Sequence, residues 1–387
     1  MPQSRERSGE WRRDPGRDVK YPARRILLIA TRQIGDVLLV TPLLRSVRRA
    51  YSASRIDVLV YRRMGGMLEG NPDLDMMIEV DEHPNRDAYR ALLRQILRRY
   101  DLAISTLPGD RPSVYAFLAA PRRVCIVPDL SWRACWKRWL ARRWTLLDNL
   151  DTHTVIQNLK LADLLEIPRC YQVVPPGQPG AEERLEGLVP FSRHTEPHVL
   201  IHPFPMWRYK RLPVDTWKKL AIHLDRRGLR VIFSGGPAAH ERAYVQDLVQ
   251  SLAPVPVVDL AGQLSFGELA ELLKSCRCYV GPDTAATHLA AACGVPTVAI
   301  YGPTNPVKWG PWPAGRCVEQ SPYTHVGSWQ HFGNVLLLQG IAECVPCYQE
   351  GCERHKNSYS FCLDQLPAAR VIAAVDSLLA EPIPSVA

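Results

Sequence analysis

The sequence predicts an α/β protein of two doubly wound parallel-sheet domains facing each other across a cleft. Three observations carry that expectation. The chain has 387 residues, and at about 150 residues per domain this length favours two domains over one. Short apolar runs alternate with longer helical periods, the signature of parallel strands joined by crossover helices. Pro175, Pro176, Gly177, Pro179 and Gly180 break any regular element between Tyr171 and Pro197, so 171–197 reads as a linker between two such series.

The elements follow in order. Residues 1–23 read as a disordered basic arm: eight Arg/Lys against four acids in the first 25 residues supply +4 of the formal net charge of +9. The first domain, 24–170, opens with a strand at Arg25–Ala30. Strands at Ile56–Val60, Met76–Val80 and Leu102–Thr106 follow, with helical patterns at Val37–Ala50 and Tyr89–Tyr100. In the second domain, 198–365, strands are expected at His198–Ile201, Arg230–Ser234, Cys278–Gly281 and Thr297–Tyr301. Helices are expected there at Val214–Arg227, Ala238–Leu252, Phe266–Lys274 and Ala285–Cys293. Residues 366–387 hold a last helix, Ala368–Leu379, and a tail. In such a pair of domains the ligand cleft lies between the C-terminal edges of the sheets.

With 46% hydrophobic and 22% charged residues, the chain is neither globally disordered nor collagen-like nor an integral membrane protein. Its longest early apolar stretch, Ile26 to Val40, is interrupted by Arg32 and Asp36. It therefore suits neither a signal-peptide core nor a span of roughly 20 apolar residues. The 11 cysteines are accordingly expected as reduced thiols in a cytoplasm rather than as a disulfide framework.

Three segments carry candidate chemistry. In ILLIATRQIGDVLLVTPLL, Asp36 stands where a helix begins after the first strand. It is either an N-cap carboxylate or a general base at the mouth of the cleft, and the two roles are compatible. In HPFPMWRYKRLP, Arg208, Lys210 and Arg211 precede a helix, where cations can meet a diphosphate; the plain alternative is a solvated face. In CYVGPDTAATHLAAACGVPTVAIYGPT, a strand runs into Asp283, Thr284, Ala285 and Ala286, and a small-residue helix begins with free backbone amides, a ready anion site. Asp283 could instead be only an N-cap and His288 only a buried histidine. Their combination with the Gly302-Pro303-Thr304 turn is harder to assign to packing.

These segments resemble the ADP-heptose:lipopolysaccharide heptosyltransferases of glycosyltransferase family 9. Within IGDVLLVTPLL and IDVLVYRRMGGMLEGNPDLD the chain is most similar to the heptosyltransferase III type. The likeness runs from about Arg24 to the C-terminus. It implies a GT-B fold, two Rossmann-like domains facing across a cleft, with a C-terminal helix that crosses back to the first domain. It also implies inverting, metal-independent transfer of heptose from ADP-heptose to the lipopolysaccharide inner core, with no cofactor. By motif, Asp36 corresponds to the catalytic base and Lys210 to the lysine on the donor phosphates. Asp283 lies near the donor sugar, Thr284, Ala285 and Ala286 embrace the diphosphate, His288 belongs to the same donor site, and Leu264 lines the adenosine pocket. Some members of the family have D-T-G where this chain has Asp283-Thr284-Ala285.

Two further features stand apart. The stretch SWRACWKRWLARRW places Trp132, Trp136 and Trp139 at i, i+4, i+7 with Trp144 beyond, among Arg133, Lys137, Arg138, Arg142 and Arg143. One reading is a helix packed on the first domain. The other is an interfacial helix on an anionic membrane, with the protein peripheral on the inner face of the inner membrane. Arg143, projecting near the Trp face, weakens the amphipathicity. Cys344, Cys347, Cys352 and Cys362 have the spacing of a metal knuckle and could hold structural zinc; otherwise they are packed thiols or redox-labile pairs.

Alternatives to heptosyl transfer are a GT-B transferase with another nucleotide sugar or acceptor, and a non-catalytic module binding nucleotide sugar or core oligosaccharide. A nicotinamide oxidoreductase is a poor fit because no G-x-G-x-x-G follows the first strand. Nucleic-acid binding is suggested by net charge alone, without a recognised module.

Overall fold

The computed structural model describes residues 22–380; the basic arm up to residue 21 and the tail after Ala380 lie outside it. The first sheet has strands β1 (Arg25–Ile29), β2 (Arg55–Tyr61), β3 (Met76–Val80), β4 (Leu102–Ser105), β5 (Arg122–Val127) and β6 (Arg143–Leu146), all parallel in the order β3-β2-β1-β4-β5-β6. The second has β7 (His198–Ile201), β8 (Arg230–Phe233), β9 (Val257–Asp259), β10 (Cys278–Pro282), β11 (Thr297–Tyr301), β12 (Trp329–Phe332) and β13 (Val335–Gln339). Their order is β12-β13-β11-β10-β7-β8-β9, with β12 antiparallel at the edge. Central strands such as LAIS, HVLI and TVAIY are buried along their whole length, as parallel strands covered by helices on both faces must be.

The strand order reverses direction between β1 and β4 in the first sheet and between β7 and β10 in the second. Such switch points open crevices at the C-terminal ends of strands. The two crevices face each other, and an apolar cluster joins the domains behind them, running from Ile26 and Leu28 through Leu43 to Leu269, Leu289 and Trp312.

Several expectations are corrected. The helix expected over Val37–Ala50 is two helices, Ile34–Leu38 and Thr41–Ala50. Pro42 has no amide to continue the ladder, and the Thr41 hydroxyl donates to the Leu38 carbonyl at 2.8 Å instead. The linker contains a helix, Ala181–Leu188, with Ala181 and Leu185 buried. Ahead of it the Gly177 amide donates to the Glu69 carbonyl at 3.0 Å. Gly70, at φ 64°, lies so close to the Gly177 carbonyl that a Cβ there would collide with it. Strands β5, β6, β9, β12 and β13 were not anticipated.

The last helix, Ala368–Ala380, does not cross back to the first domain within the described residues. Val371, Ala374, Val375 and Leu378 join Trp217, Leu220 and Leu224 in the core of the second domain. Asp376 pairs with Arg227 and, at 2.9 Å, with His223 of helix Val214–Arg226. The Trp-rich segment is also not a core stripe. It is a short turn, Trp132–Ala134, followed by helix Cys135–Ala141, and Ala134 and Ala141 are its buried positions. Arg143 lies beyond the helix in β6 and pairs with Glu166 at 3.4 Å.

Candidate active site

A cleft of about 900 Å³ lies between the two sheet edges. Residues 32–36, following β1, form its first-domain wall. Its second-domain wall holds Lys210 from the segment after β7 and Asp283 to Ala286 and His288 from the segment after β10. The two second-domain segments thus straddle the β7/β10 switch point.

Lys210 sits at the end of a single turn, Arg208–Lys210, and its ammonium meets the Asp283 carboxylate at 2.5 Å. The same carboxylate oxygen accepts a 2.7 Å hydrogen bond from the Thr304 hydroxyl. Burial opposes both charges. For Asp283 the penalty is overcome by Lys210, His288 and the Thr304 bond, so its pKa is lowered; for Lys210 it is overcome mainly by Asp283, so its pKa is raised. Both stay charged across the neutral range, a buried pair that keeps one cation against the cleft.

Helix Ala285–Cys293 starts beside this pair. Its N-cap is Thr284, whose hydroxyl accepts from the Thr287 amide at 3.4 Å, and Gly294 ends it in the left-handed conformation. The Thr287 hydroxyl donates to the Pro282 carbonyl at 2.5 Å, tying the first turn to the end of β10. Thr284, Ala285 and Ala286 line the cleft, so the first-turn amides meet it with only methyl side chains around them. Burial holds the His288 imidazole neutral, with its pKa near 4, and its Nδ1 has no protein partner.

Asp36 occupies the first turn of helix Ile34–Leu38, but the N-cap is Gln33 and makes no side-chain cap bond. The capping role considered for Asp36 is therefore not the one it has. Its carboxylate is 3.5 Å from the Arg32 guanidinium, which is 42% exposed and lies over the Trp309 ring of the other domain. Burial raises the pKa of Asp36, and Asp283 across the cleft adds to the rise; Arg32, Lys210 and Lys308 work against it. A carboxyl raised in this way is a better proton acceptor than an ordinary surface carboxylate.

The cleft thus gathers Asp36, Lys210, Asp283, Thr284, Ala285, Ala286, His288 and Leu264, the last beside Phe266 and Leu269. Arg208 and Arg211 do not line it, and the Arg211 guanidinium is spent on the Phe204 ring at 4.0 Å. Sequence reasoning missed Thr304 as the partner of Asp283, Arg32 as the partner of Asp36, and Lys308. Burial lowers the Lys308 pKa to about 8, and its ammonium donates to the Asp148 carbonyl at 2.5 Å. The i, i+4 spacing of Arg32 and Asp36 was the one available signal.

The zinc knuckle considered for the four C-terminal cysteines is not formed among the described residues, although Cys347, Cys344 and Cys352 lie close enough to Cys362 to add to the rise that burial gives its thiol pKa. Among the described residues, no three His, Cys, Asp or Glu side chains are arranged to hold a metal. Cys362 is buried with Leu363 against the second core while Cys344 and Cys352 face solvent. All eleven cysteines are free thiols.

The sequence pattern of glycosyltransferase family 9, the heptosyltransferase family, matches residues 89–325, more than half of the chain. The chain belongs to this family. Lys210 and Asp283 fall inside the family 9 match and Asp36 ahead of it. The lipopolysaccharide heptosyltransferase 3 of Escherichia coli is 26% identical over 355 residues, 89% of this chain and 96% of that protein. Among solved structures, a family 9 glycosyl transferase from Veillonella parvula superimposes with a TM-score of 0.72 at 22% identity, over 93% of this chain and 98% of that one. The E. coli ADP-heptose lps heptosyltransferase II gives a TM-score of 0.68 at 20% identity, over 92% and 98%. These likenesses establish the GT-B fold and a glycosyltransferase.

Proposed function

We propose that this family 9 member transfers heptose from ADP-heptose to the inner core of lipopolysaccharide. The observation that carries the reading is the meeting, in one cleft, of a base from the first domain and an anion site from the second. Full-length likeness to a lipopolysaccharide heptosyltransferase supports both substrates.

In this reading the ADP diphosphate lies against Lys210 and the first-turn amides of helix Ala285–Cys293. Asp283, held by Lys210 and Thr304, faces the donor sugar, with the Nδ1 of His288 free for one of its hydroxyls and Leu264 beside the adenosine. Asp36 accepts the proton of an acceptor hydroxyl as that oxygen bonds to the anomeric carbon. The bond from this carbon to the β-phosphate oxygen breaks, its electron pair leaves with ADP, and the configuration inverts. Charge growing on the leaving diphosphate is stabilised by Lys210 and the helix amides. This cation and the helix dipole supply the positive charge a metal would otherwise bring, so turnover is expected to persist in excess chelator.

The test is transfer from ADP-heptose to truncated lipopolysaccharide cores of defined length, read by product mass. One added heptose on a single core length is expected. Donor binding without a product on any core would favour a non-catalytic module, and turnover of another nucleotide sugar in preference to ADP-heptose would replace the donor.

A further inference from the structure

We propose that the first-domain flank formed by Leu130, Trp132, Trp136, Trp139 and Phe117 docks on an anionic phospholipid bilayer. Large apolar side chains on a soluble surface are ordinary when scattered singly, but a contiguous set marks an interaction site. Trp132 is 78% exposed, Trp139 74% and Leu130 63%, whereas Trp217 and Trp312 of the same chain are fully buried. The exposed rings are grouped: Trp139 lies 6.3 Å from Phe117, itself 41% exposed and on the neighbouring helix Asp110–Ala119.

Charge selects the occupant. Residues 131–144 carry five cations and no acid. Arg133 lies 5.6 Å from the centre of the Trp132 ring; Lys137, 5.5 Å from that of Trp136, is paired with Asp110 at 2.6 Å, so the charge left to accompany the indoles is that of the arginines. Arg133 and Arg142 are exposed. Indole rings with adjacent cations suit the headgroup layer of an anionic membrane, where rings enter the interface and cations meet phosphates. Among the described residues no helix is long and apolar enough to cross a membrane, so the contact is a surface one.

Position gives the patch a use. Residues 128–134 follow the C-terminal end of β5, the sheet edge from which Asp36 extends after β1. Docking there brings the edge that carries Asp36 to the bilayer in which a lipid-borne acceptor is anchored. Only this step rests on the proposed transfer reaction; binding to the bilayer is independent of it.

The test is co-sedimentation of the full chain with vesicles of phosphatidylglycerol and phosphatidylethanolamine, against vesicles of phosphatidylcholine alone. Binding to the first and not the second is expected. Trp132→Ser with Trp139→Ser should weaken partitioning about tenfold or more, and Arg133→Glu and Arg142→Glu by about fivefold for each cation removed. Both double variants should keep the wild-type melting temperature, since these side chains are exposed, and turnover on a water-soluble acceptor. Three results would overturn the proposal: wild-type protein that ignores anionic vesicles, full retention by the Trp variant, or a wild-type dimer in sedimentation velocity that the Trp variant loses, which would assign the patch to a second copy of the chain.

Discussion

The two walls of the cleft are built differently. On the second-domain side Asp283 is fixed by an ion pair at 2.5 Å and a hydroxyl at 2.7 Å, and the adjoining helix turn is tied down by Thr284 and Thr287. On the first-domain side Asp36 has, among the described residues, one ion pair at contact distance, the half-exposed Arg32 at 3.5 Å, while Lys210, Lys308 and Asp283 act on it from farther off. In the proposed reaction the second-domain wall is the donor side, and its own protein contacts hold it. By contrast Asp36, the proposed base, is loosely held and raised in pKa, so its basicity depends on what enters beside it. A preorganised anion site spends no reorganisation as charge develops, while a base must trade its partner for the acceptor hydroxyl.

The sharpest way to break this contrast is to remove the base alone. Asp36→Asn should lower turnover about 100- to 10,000-fold while changing donor affinity little, because the ion pair and hydrogen bonds that build the donor wall do not include Asp36, which acts on Lys210 and Asp283 only through its charge. Single-turnover rates and donor titration check it, and unimpaired turnover would remove Asp36 from the role. Lys210→Ala attacks the other wall. It strands the buried Asp283 charge, at a cost of about 3–5 kcal/mol of stability, and it weakens donor binding. Adding Asp283→Asn should recover much of that stability without restoring donor affinity. Recovery of both would show Lys210 to be only a counter-ion.

The contrast also bears on what could be seen in the sequence. Asp36, Lys210 and Asp283 were legible because each stands in a segment expected to leave the C-terminal end of a strand, where such folds place ligands, and because the family's motifs give them their roles. Their partners were not. Thr304 reaches Asp283 from 21 residues away, and Lys308 reaches the Asp148 carbonyl from 160, distances at which local pattern carries no information. In the fold, β5 was missed because it opens with Arg122 and Arg123. Strand β13 was missed because a short apolar run such as VLLLQ does not by itself distinguish strand from helix. The last helix is apolar enough to pack on either domain; its buried Val371, Ala374, Val375 and Leu378 join the second core, and the half-exposed pairing of Asp376 with His223 and Arg227 adds only a little to that choice.

Acid should loosen the seam between the walls. His153 donates through Nε2 to the Gly310 carbonyl across the domains at 2.8 Å and accepts from the Val155 amide at 3.1 Å. Burial lowers its pKa from 6.5 to about 3, and burial lowers those of His202 and His288 from 6.5 to about 4. Below pH 6.5 the unfolded chain takes up protons that the folded one refuses. The stability these neutral rings contribute is therefore complete above that pH and is lost as pH falls towards 4. The loss is at most roughly 1.4 kcal/mol per pH unit per histidine. Burial lowers the pKa of His198 as well; denaturation midpoints from pH 7.5 to 5 measure the loss, and His153→Asn should flatten the slope by about a quarter, whereas an unchanged slope would place its origin elsewhere.

The smallest expected effect probes the loose wall directly. Arg32 opposes the rise in the Asp36 pKa, but as a half-exposed partner it is worth only about 0.2–1 kcal/mol, a few tenths of a pH unit. Arg32→Ala should therefore move the acid limb of kcat/KM upward by that amount, since the base stays protonated to a higher pH, and rates well above the limb should change little through this route. Donor affinity should hold, because the second wall is held by its own contacts. A larger upward shift would mean that Arg32 is more firmly engaged than its exposure indicates, making the first wall as preorganised as the second. A downward shift would mean that the limb belongs to a group other than Asp36.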